Sequence, residues 1–341
     1  MALKRITMQE IADACGLSRN TVSKVFNDRG SVPESTKKLV VAKARELGYY
    51  QYSAGGQSEK RQDGTIAVLT QHKLLSHNFG SYFITSFTDQ ISRSGYTMQM
   101  YEVSPEELAE KALPPRLVLE RTAGILGIEL FDRAYIDMVC SLDMPTVWVD
   151  GFPRAGKALM QCDFVSMENI TSEAAIVERM ISHGAKRLGF VGDCEHCNSF
   201  YERWVGFCTA LGDAGIQVDR DLCILKEDSI LYQDTDWLIE QLVAMPSMPD
   251  AFACANDFLA IHLMTALKKM GLSIPDNVMV AGFDGSPEAS IIDPSLTTAR
   301  IPSADIGRFA ATTLVKRIQQ PDCPFHWTNV KTTPIWGDST R

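Results

Sequence analysis

Residues 16–27 read GLSRNTVSKVFN. Laid on a helix from Arg19, the side chains Val22, Val25 and Phe26 fall on one side at i, i+3, i+4 spacing, and Arg19, Asn20, Ser23, Lys24 and Asn27 fall on the other. The apolar flank needs partners, and the polar flank is offered outward. Arg or Lys can bond guanine O6/N7 in a major groove and Asn can pair bidentately with adenine, so the outward flank has the chemistry of a base reader. Most surface helices also show a polar face. The surroundings must decide between a reader and a merely solvated rod.

Those surroundings are helical and compact. Thr7-Met8-Gln9-Glu10 forms a capping box in which the Thr hydroxyl accepts from the third helical amide and Glu10 reaches back. Ser18 is placed to cap a second helix. Pro33 suits the first position of a third, which runs to a terminating Gly48. The chain of 341 residues carries a net charge of −9, yet residues 1–50 hold nine Lys/Arg against five Asp/Glu and the rest holds 24 against 37. A basic head on an acidic body is the pattern expected where one end meets nucleic acid.

From Thr65 the texture changes. TIAVLT, TMQMYEV, AGILGI, PTVWVD, RLGFVG, DAFACA and VMVAGF read as buried strands with helical patterns between most of them. This alternation predicts a parallel sheet wound on both faces, and its length over residues 65–341 predicts two lobes. Residues 51–64, QYSAGGQSEKRQDG, are polar and Gly-rich and read as the linker. A hydrophobic content of 45% suffices for proper cores. MALKRITMQE lacks the apolar run of an export signal, and no stretch of about 18 apolar residues occurs, so the expectation is a cytoplasmic protein without a membrane partner. Nine scattered Cys argue for reduced thiols rather than a disulfide framework.

The string ITMQEIADACGLSRNTVSKVFNDRGSVPESTKKLVVAKARELGY, residues 6–49, closely resembles the N-terminal signature of the lactose-repressor (LacI) family of bacterial transcription regulators. The resemblance implies an all-α helix-turn-helix domain over residues 1–50. Within it, Arg19, Asn20 and Lys24 would read bases, and Thr7, Ser18, Thr21, Asn27 and Ser31 would contact phosphates. Four landmarks extend the likeness over the body: HGAKRLGFVG (183–192), YERWVGFCTAL (201–211), the run PDAFACANDFLAIHLMTALKKMGLSIPDNVMVAGFDG (249–285) and DPSLTTARIP (293–302). They imply an α/β two-lobed effector domain of the type I periplasmic-binding-protein-like fold. Its N-lobe would hold about 65–161 and 301–326, and its C-lobe about 162–300 and 327–341.

In such domains a ligand lies between the lobes at the carboxyl ends of parallel strands. Asn256 follows DAFACA and Asp284 follows VMVAGF, the places that rule gives to ligand contacts, although either could simply cap the next helix. With Arg203 they resemble the family's hydroxyl-binding trio, with Phe79 and Asp150 as lesser contributors from the N-lobe. The implied effector is a small polar molecule, a sugar or sugar derivative first and a nucleobase or nucleoside second. The resemblance implies dimerisation through the body on a double-stranded operator, and a dimer is expected rather than a tetramer, since PIWGDSTR is not followed by a heptad tail.

Three departures stand out: His262 where the family often has Gly, Gly285 where an acid or amide is common, and the linker. Family members usually continue with Pro-Asn and a hinge helix that wedges a Leu into the minor groove. Here Tyr50 to Ser58 reads YQYSAGGQS, and each of its two glycines costs about 1 kcal/mol of helix propensity relative to Ala. A weaker operator bend is expected.

Catalysis has no visible apparatus. The chain lacks GxGxxG after a strand, GxxxxGK[ST], HExxH and GxSxG, so neither an enzyme nor a cofactor is expected. Cys194-Glu195-His196-Cys197 is a single CxxC without a second knuckle, read as a thiol-rich surface loop and not a metal site.

Overall fold

The computed structural model describes residues 8–26, 32–47, 64–71, 78–154, 161–227 and 230–341. The chain divides into two compact units, residues 1–61 and 62–341. Thr7, Asn27, Ser31 and the linker between Gln51 and Asp63 lie outside the described residues, as does the side chain of Phe26.

The first unit has α1 (Met8–Cys15), α2 (Arg19–Phe26) and α3 (Glu34–Glu46). Gly16 takes φ +65° between α1 and α2, a left-handed residue that ends a helix and turns the chain within three residues. Ser18 starts α2 as the sequence predicts, its hydroxyl accepting from the Thr21 amide at 3.1 Å. Pro33 stands just before α3 rather than inside it, and its carbonyl accepts from the amides of Thr36 and Lys37. Ile11, Ala12, Val22, Val25, Val40 and Ala44 form the core, so each helix contributes an apolar pair.

The second unit runs β1 (Gly64–Thr70), α4 (Asn78–Arg93), β2 (Tyr96–Glu102), α5 (Pro105–Glu110), β3 (Thr122–Ile128), α6 (Arg133–Cys140), β4 (Thr146–Val149) and β5 (Asp163–Met167). It continues with α7 (Ile170–Ser182), β6 (Leu188–Val191), α8 (Asn198–Asp213), α9 (Thr235–Ala244), β7 (Ala251–Cys254), α10 (Asp257–Lys269) and β8 (Met279–Ala281). The last elements are α11 (Pro287–Ile291), β9 (Thr298–Arg300), α12 (Ser303–Gln319), β10 (Trp327–Val330) and β11 (Thr333–Ile335).

Two parallel sheets result. The larger has the order β10-β5-β4-β3-β1-β2 and the smaller β6-β7-β8, while β11 pairs antiparallel with β9. In the larger sheet Ile66 and Val68 join Phe83, Phe87, Ile306 and Leu314 of α4 and α12 on one face. Ala67 and Leu69 join Tyr135, Ile136 and Val139 of α6 on the other. Burial on both faces explains why β1, β3 and β4 read as continuous apolar runs instead of alternating ones.

The structure corrects two expectations. TMQMYEV is not a buried strand: β2 closes the edge of the sheet, where one flank has no neighbour, and most of its residues contact solvent. The lobe crossings at about 161/162 and 326/327 fall too early, because β5 and β10 pair with each other and belong to the larger sheet. The chain leaves that sheet after Met167 and again after Val330. There the Glu168 amide bonds the Val330 carbonyl at 2.8 Å, and the Thr332 hydroxyl bonds the Glu168 carbonyl at 2.7 Å. A buried ion pair, Arg317 Nε to Asp163 Oδ2 at 2.8 Å, ties α12 to the start of β5. No described helix is long and apolar enough to cross a membrane.

Candidate functional site

The α2 helix presents its two flanks as its sequence requires. Val22 and Val25 are buried in the head core, and Arg19, Asn20 and Lys24 are exposed. Ser18 and Thr21 face each other, their hydroxyl oxygens 2.8 Å apart, so both take part in the cap that starts the helix. The exposed flank combines a guanidinium, an amide and an ammonium within two turns.

The second constellation lies in the body, where the carboxyl ends of β3 and β4 meet those of β7 and β8 and the front of α8. Arg203 is 2% exposed and its guanidinium is held from several sides. Nε donates to Asn169 Oδ1 at 3.1 Å, and Nη1 donates to the Ala255 carbonyl at 2.5 Å and to Asp284 Oδ1 at 3.1 Å. The Phe283 ring lies 4.0 Å from the guanidinium carbon. The fork is therefore pinned, with Nη2 lacking a partner among the described residues. Asn256 keeps both readings that its position allows. Its Oδ1 caps α10 by accepting from the Leu259 amide at 2.9 Å, and its Nδ2 has no described partner.

Asp284 takes φ +122° and Asp150 φ +56°, both in the left-handed region at the ends of their strands. Asp150 is already engaged: Oδ1 accepts from the amides of Gly151 and Ser199 at 2.9 and 3.1 Å, and Oδ2 from the Ser199 hydroxyl at 2.7 Å. Burial pushes its carboxyl above the usual range, against the lowering effect of these donors. Phe79 is half-buried at the start of α4 and stacks on Phe83 at 5.9 Å, so its ring serves the core.

Several residues of this region carry no recognised motif. Glu129 follows β3 with φ +48°, and its carboxyl is pushed up to about 7, first by burial and then by Asp150 and Asp284. Its position as the first polar residue after AGILGI was the one sequence signal available. Asp257 is likewise raised to about 7 by burial and by Asp284, while accepting from Thr298 Oγ1 at 2.5 Å and the Ser286 amide at 2.7 Å. Glu173 on α7 is 1% exposed, neither carboxylate oxygen has a partner among the described residues, and burial raises it to about 8 against the opposing pull of Arg203.

Contacts from the larger sheet to the front of α8 close the region. Arg154 pairs with Glu195 at 3.1 Å, the Asn198 amide bonds the Gly151 carbonyl at 2.7 Å, and the Phe131 and His196 rings meet at 4.9 Å. Cys194 and Cys197 are buried, which corrects the surface-loop reading: Cys197 lies directly before α8 and its thiol meets Ser199 Oγ at 3.1 Å. Gly285 departs from the family pattern for a steric reason. It takes φ +69°, and an added Cβ would stand 2.7 Å from Arg300 Cα.

Residues 7–51 match the family described as bacterial regulatory proteins, lacI family, and residues 177–340 match the periplasmic binding protein-like domain. The chain is 26% identical to the HTH-type transcriptional regulator RegA of Clostridium saccharobutylicum over 318 residues, 93% of each chain. It is 25% identical to the HTH-type transcriptional repressor CytR of Escherichia coli (strain K12) over 315 residues, 92% of this chain and 90% of that one. The solved complex of the transcriptional regulator CelR with cellobiose superposes with a TM-score of 0.72 at 24% identity, covering 98% of this chain and 100% of the other. The lac repressor dimer bound to operator and the anti-inducer ONPF gives 0.70 at 19% identity, covering 99% of each.

Proposed function

The chain belongs to the LacI family of DNA-binding transcriptional regulators, and from that premise we propose that it is a homodimeric repressor of a near-palindromic operator, responsive to a sugar or sugar derivative. The head, residues 1–50, contacts DNA, residues 51–64 link, and residues 65–341 sense and dimerise. Arg19, Asn20 and Lys24 read bases in the major groove. Thr7, Ser18, Thr21, Asn27 and Ser31 hold phosphates. The observation that carries this reading is the two-sided α2, with Val22 and Val25 buried and the three polar readers exposed opposite them.

The effector lies where Arg203, Asn256 and Asp284 converge. Nη2 of Arg203 and Nδ2 of Asn256 offer hydrogen bonds to ring hydroxyls, as the pinned guanidinium fixes its remaining donor in direction. Asp150 acts through α8 instead of through the effector. A sugar is the first choice because CelR, a regulator of this fold, holds cellobiose. An effector that prefers one arrangement of the lobes shifts the spacing of the two heads, and the sign of regulation follows from which arrangement it prefers.

Selection of bound duplexes from a random pool at low salt tests the proposal. The enriched sequence should have twofold symmetry with half-sites about one helical turn apart, and the protein should sediment as a dimer. A protein that enriches no sequence is not the regulator described.

A further inference from the structure

Cys140 is the last residue of α6 and Cys162 stands directly before β5, and their sulfurs meet at 3.2 Å. Both are free thiols inside the apolar layer formed with Ile136, Val139, Trp148 and Phe164, Cys140 being 8% exposed and Cys162 2%. The sulfurs of Cys194, Cys197, Cys223 and Cys323 meet oxygen atoms instead. A disulfide holds its two sulfurs at about 2.05 Å, so joining this pair asks each sulfur to move by only about 0.6 Å.

The chain between the two cysteines forms β4 and then the stretch whose Asp150, Gly151 and Arg154 contact Ser199, Asn198 and Glu195 at the front of α8. Directly after Cys162, Asp163 enters its buried pair with Arg317. A bond from Cys140 to Cys162 closes a ring of chain that includes the contacts joining the larger sheet to α8. Burial selects the oxidant as well: a bulky or charged disulfide is kept from sulfurs this enclosed, whereas a peroxide is small and neutral. Contact with Cys140 and burial hold the Cys162 thiol above its ordinary range, so the more exposed Cys140 is the sulfur that attacks first.

We propose that Cys140 and Cys162 are a peroxide-responsive thiol pair, which hydrogen peroxide converts into an intramolecular disulfide that braces the segment carrying Asp150. In the first step the Cys140 sulfur bonds one peroxide oxygen and the O–O bond breaks. The departing hydroxide takes the thiol proton, which leaves a sulfenic acid and water. In the second step the Cys162 sulfur attacks the Cys140 sulfur, the S–O bond breaks, and hydroxide leaves as water with the Cys162 proton. The protein loses two protons and two electrons, and one peroxide takes them up to become two waters. Because the second sulfur already stands in contact, ring closure outruns further oxidation of the sulfenic acid.

The test treats reduced full-length protein with millimolar hydrogen peroxide, removes the peroxide, and then unfolds, alkylates and maps the chain by tryptic mass spectrometry. Trypsin separates the two cysteines by cutting after Arg154 and Lys157. The treated protein should carry two fewer alkylated cysteines than the nine of the reduced one, with the Cys140 peptide joined to the Cys162 peptide. Its Tm should rise by about 5 °C or more, and dithiothreitol should reverse both changes. Cys162→Ser should show no rise in Tm with peroxide and should hold Cys140 as a sulfenic acid that dimedone captures; the wild-type map decides the matter where that variant does not fold. The proposal is overturned if all nine cysteines of the treated protein still alkylate, or if Cys140 or Cys162 appears joined to a different cysteine or as a sulfinic acid in place of the linked peptide. It is overturned equally if the linked protein melts together with the reduced one.

Discussion

Asp150 caps a helix that belongs to the other lobe: its carboxylate accepts from both the amide and the hydroxyl of Ser199, in the first turn of α8. The residue formally at that helix end, Cys197, makes no side-chain cap bond. A carboxylate at a helix N-terminus satisfies an orphan amide and complements the helix dipole. Because α8 also carries Arg203, joining the two lobes and orienting the guanidinium are one structural event.

Asp150→Ala should therefore destabilise the body by about 0.5–2 kcal/mol, the usual worth of a helix cap. Urea unfolding checks this, and small-angle scattering should show a more open body. Unchanged stability together with unchanged scattering would mean that the contact does not hold the lobes.

For the head, Asn20→Ala or Lys24→Ala should cost roughly 1–3 kcal/mol of discrimination between operator and random DNA if the side chain reads a base edge. Fluorescence anisotropy at fixed salt measures it. An equal loss on both duplexes would reassign the residue to the phosphate backbone.

Burial raises Glu173 to about 8 and Glu129 and Asp257 to about 7, so the folded protein holds protons that the unfolded chain releases in the ordinary carboxylate range. The folded state then binds more protons between the unfolded and folded values, and stability falls as pH rises through that window, being fully present only below it. Thermal melts should show Tm declining from pH 5 toward pH 8.5 by an amount that Glu173→Gln reduces; on the order of a few kcal/mol is at stake for a fully buried carboxyl. A Glu173→Gln protein whose melting curve tracks the wild type across this range would contradict the assignment.

Arg317→Ala should destabilise the body by about 3–5 kcal/mol, because it strands the buried Asp163 carboxylate at the start of β5. Replacing Asp163 as well, with Asn, should recover part of that loss. A double variant no better than Arg317→Ala in chemical denaturation would show that the guanidinium matters chiefly through the carbonyls of Pro321 and Pro324.

The sequence by itself determined the two-sided α2, the Ser18 cap and the apolar cores of β1, β3 and β4. Each is a short-range pattern: the helical or strand period sorts neighbouring side chains into faces without knowledge of the rest of the chain. It also marked Asn256 and Asp284, since the end of a strand is itself a local signal. It missed β5 and β10 because DFVSM mixes Asp and Ser into a buried strand, and WTNV is an edge strand half in solvent. Only the tertiary structure decided which residues meet around Arg203. Arg203 finds its partners 34, 52 and 81 positions away. The gathering of Glu129, Asp150 and Asp284, and the use of Asp150 as a cap for α8, depend on how two sheets meet, and a charge gains or loses its partner through that distance alone.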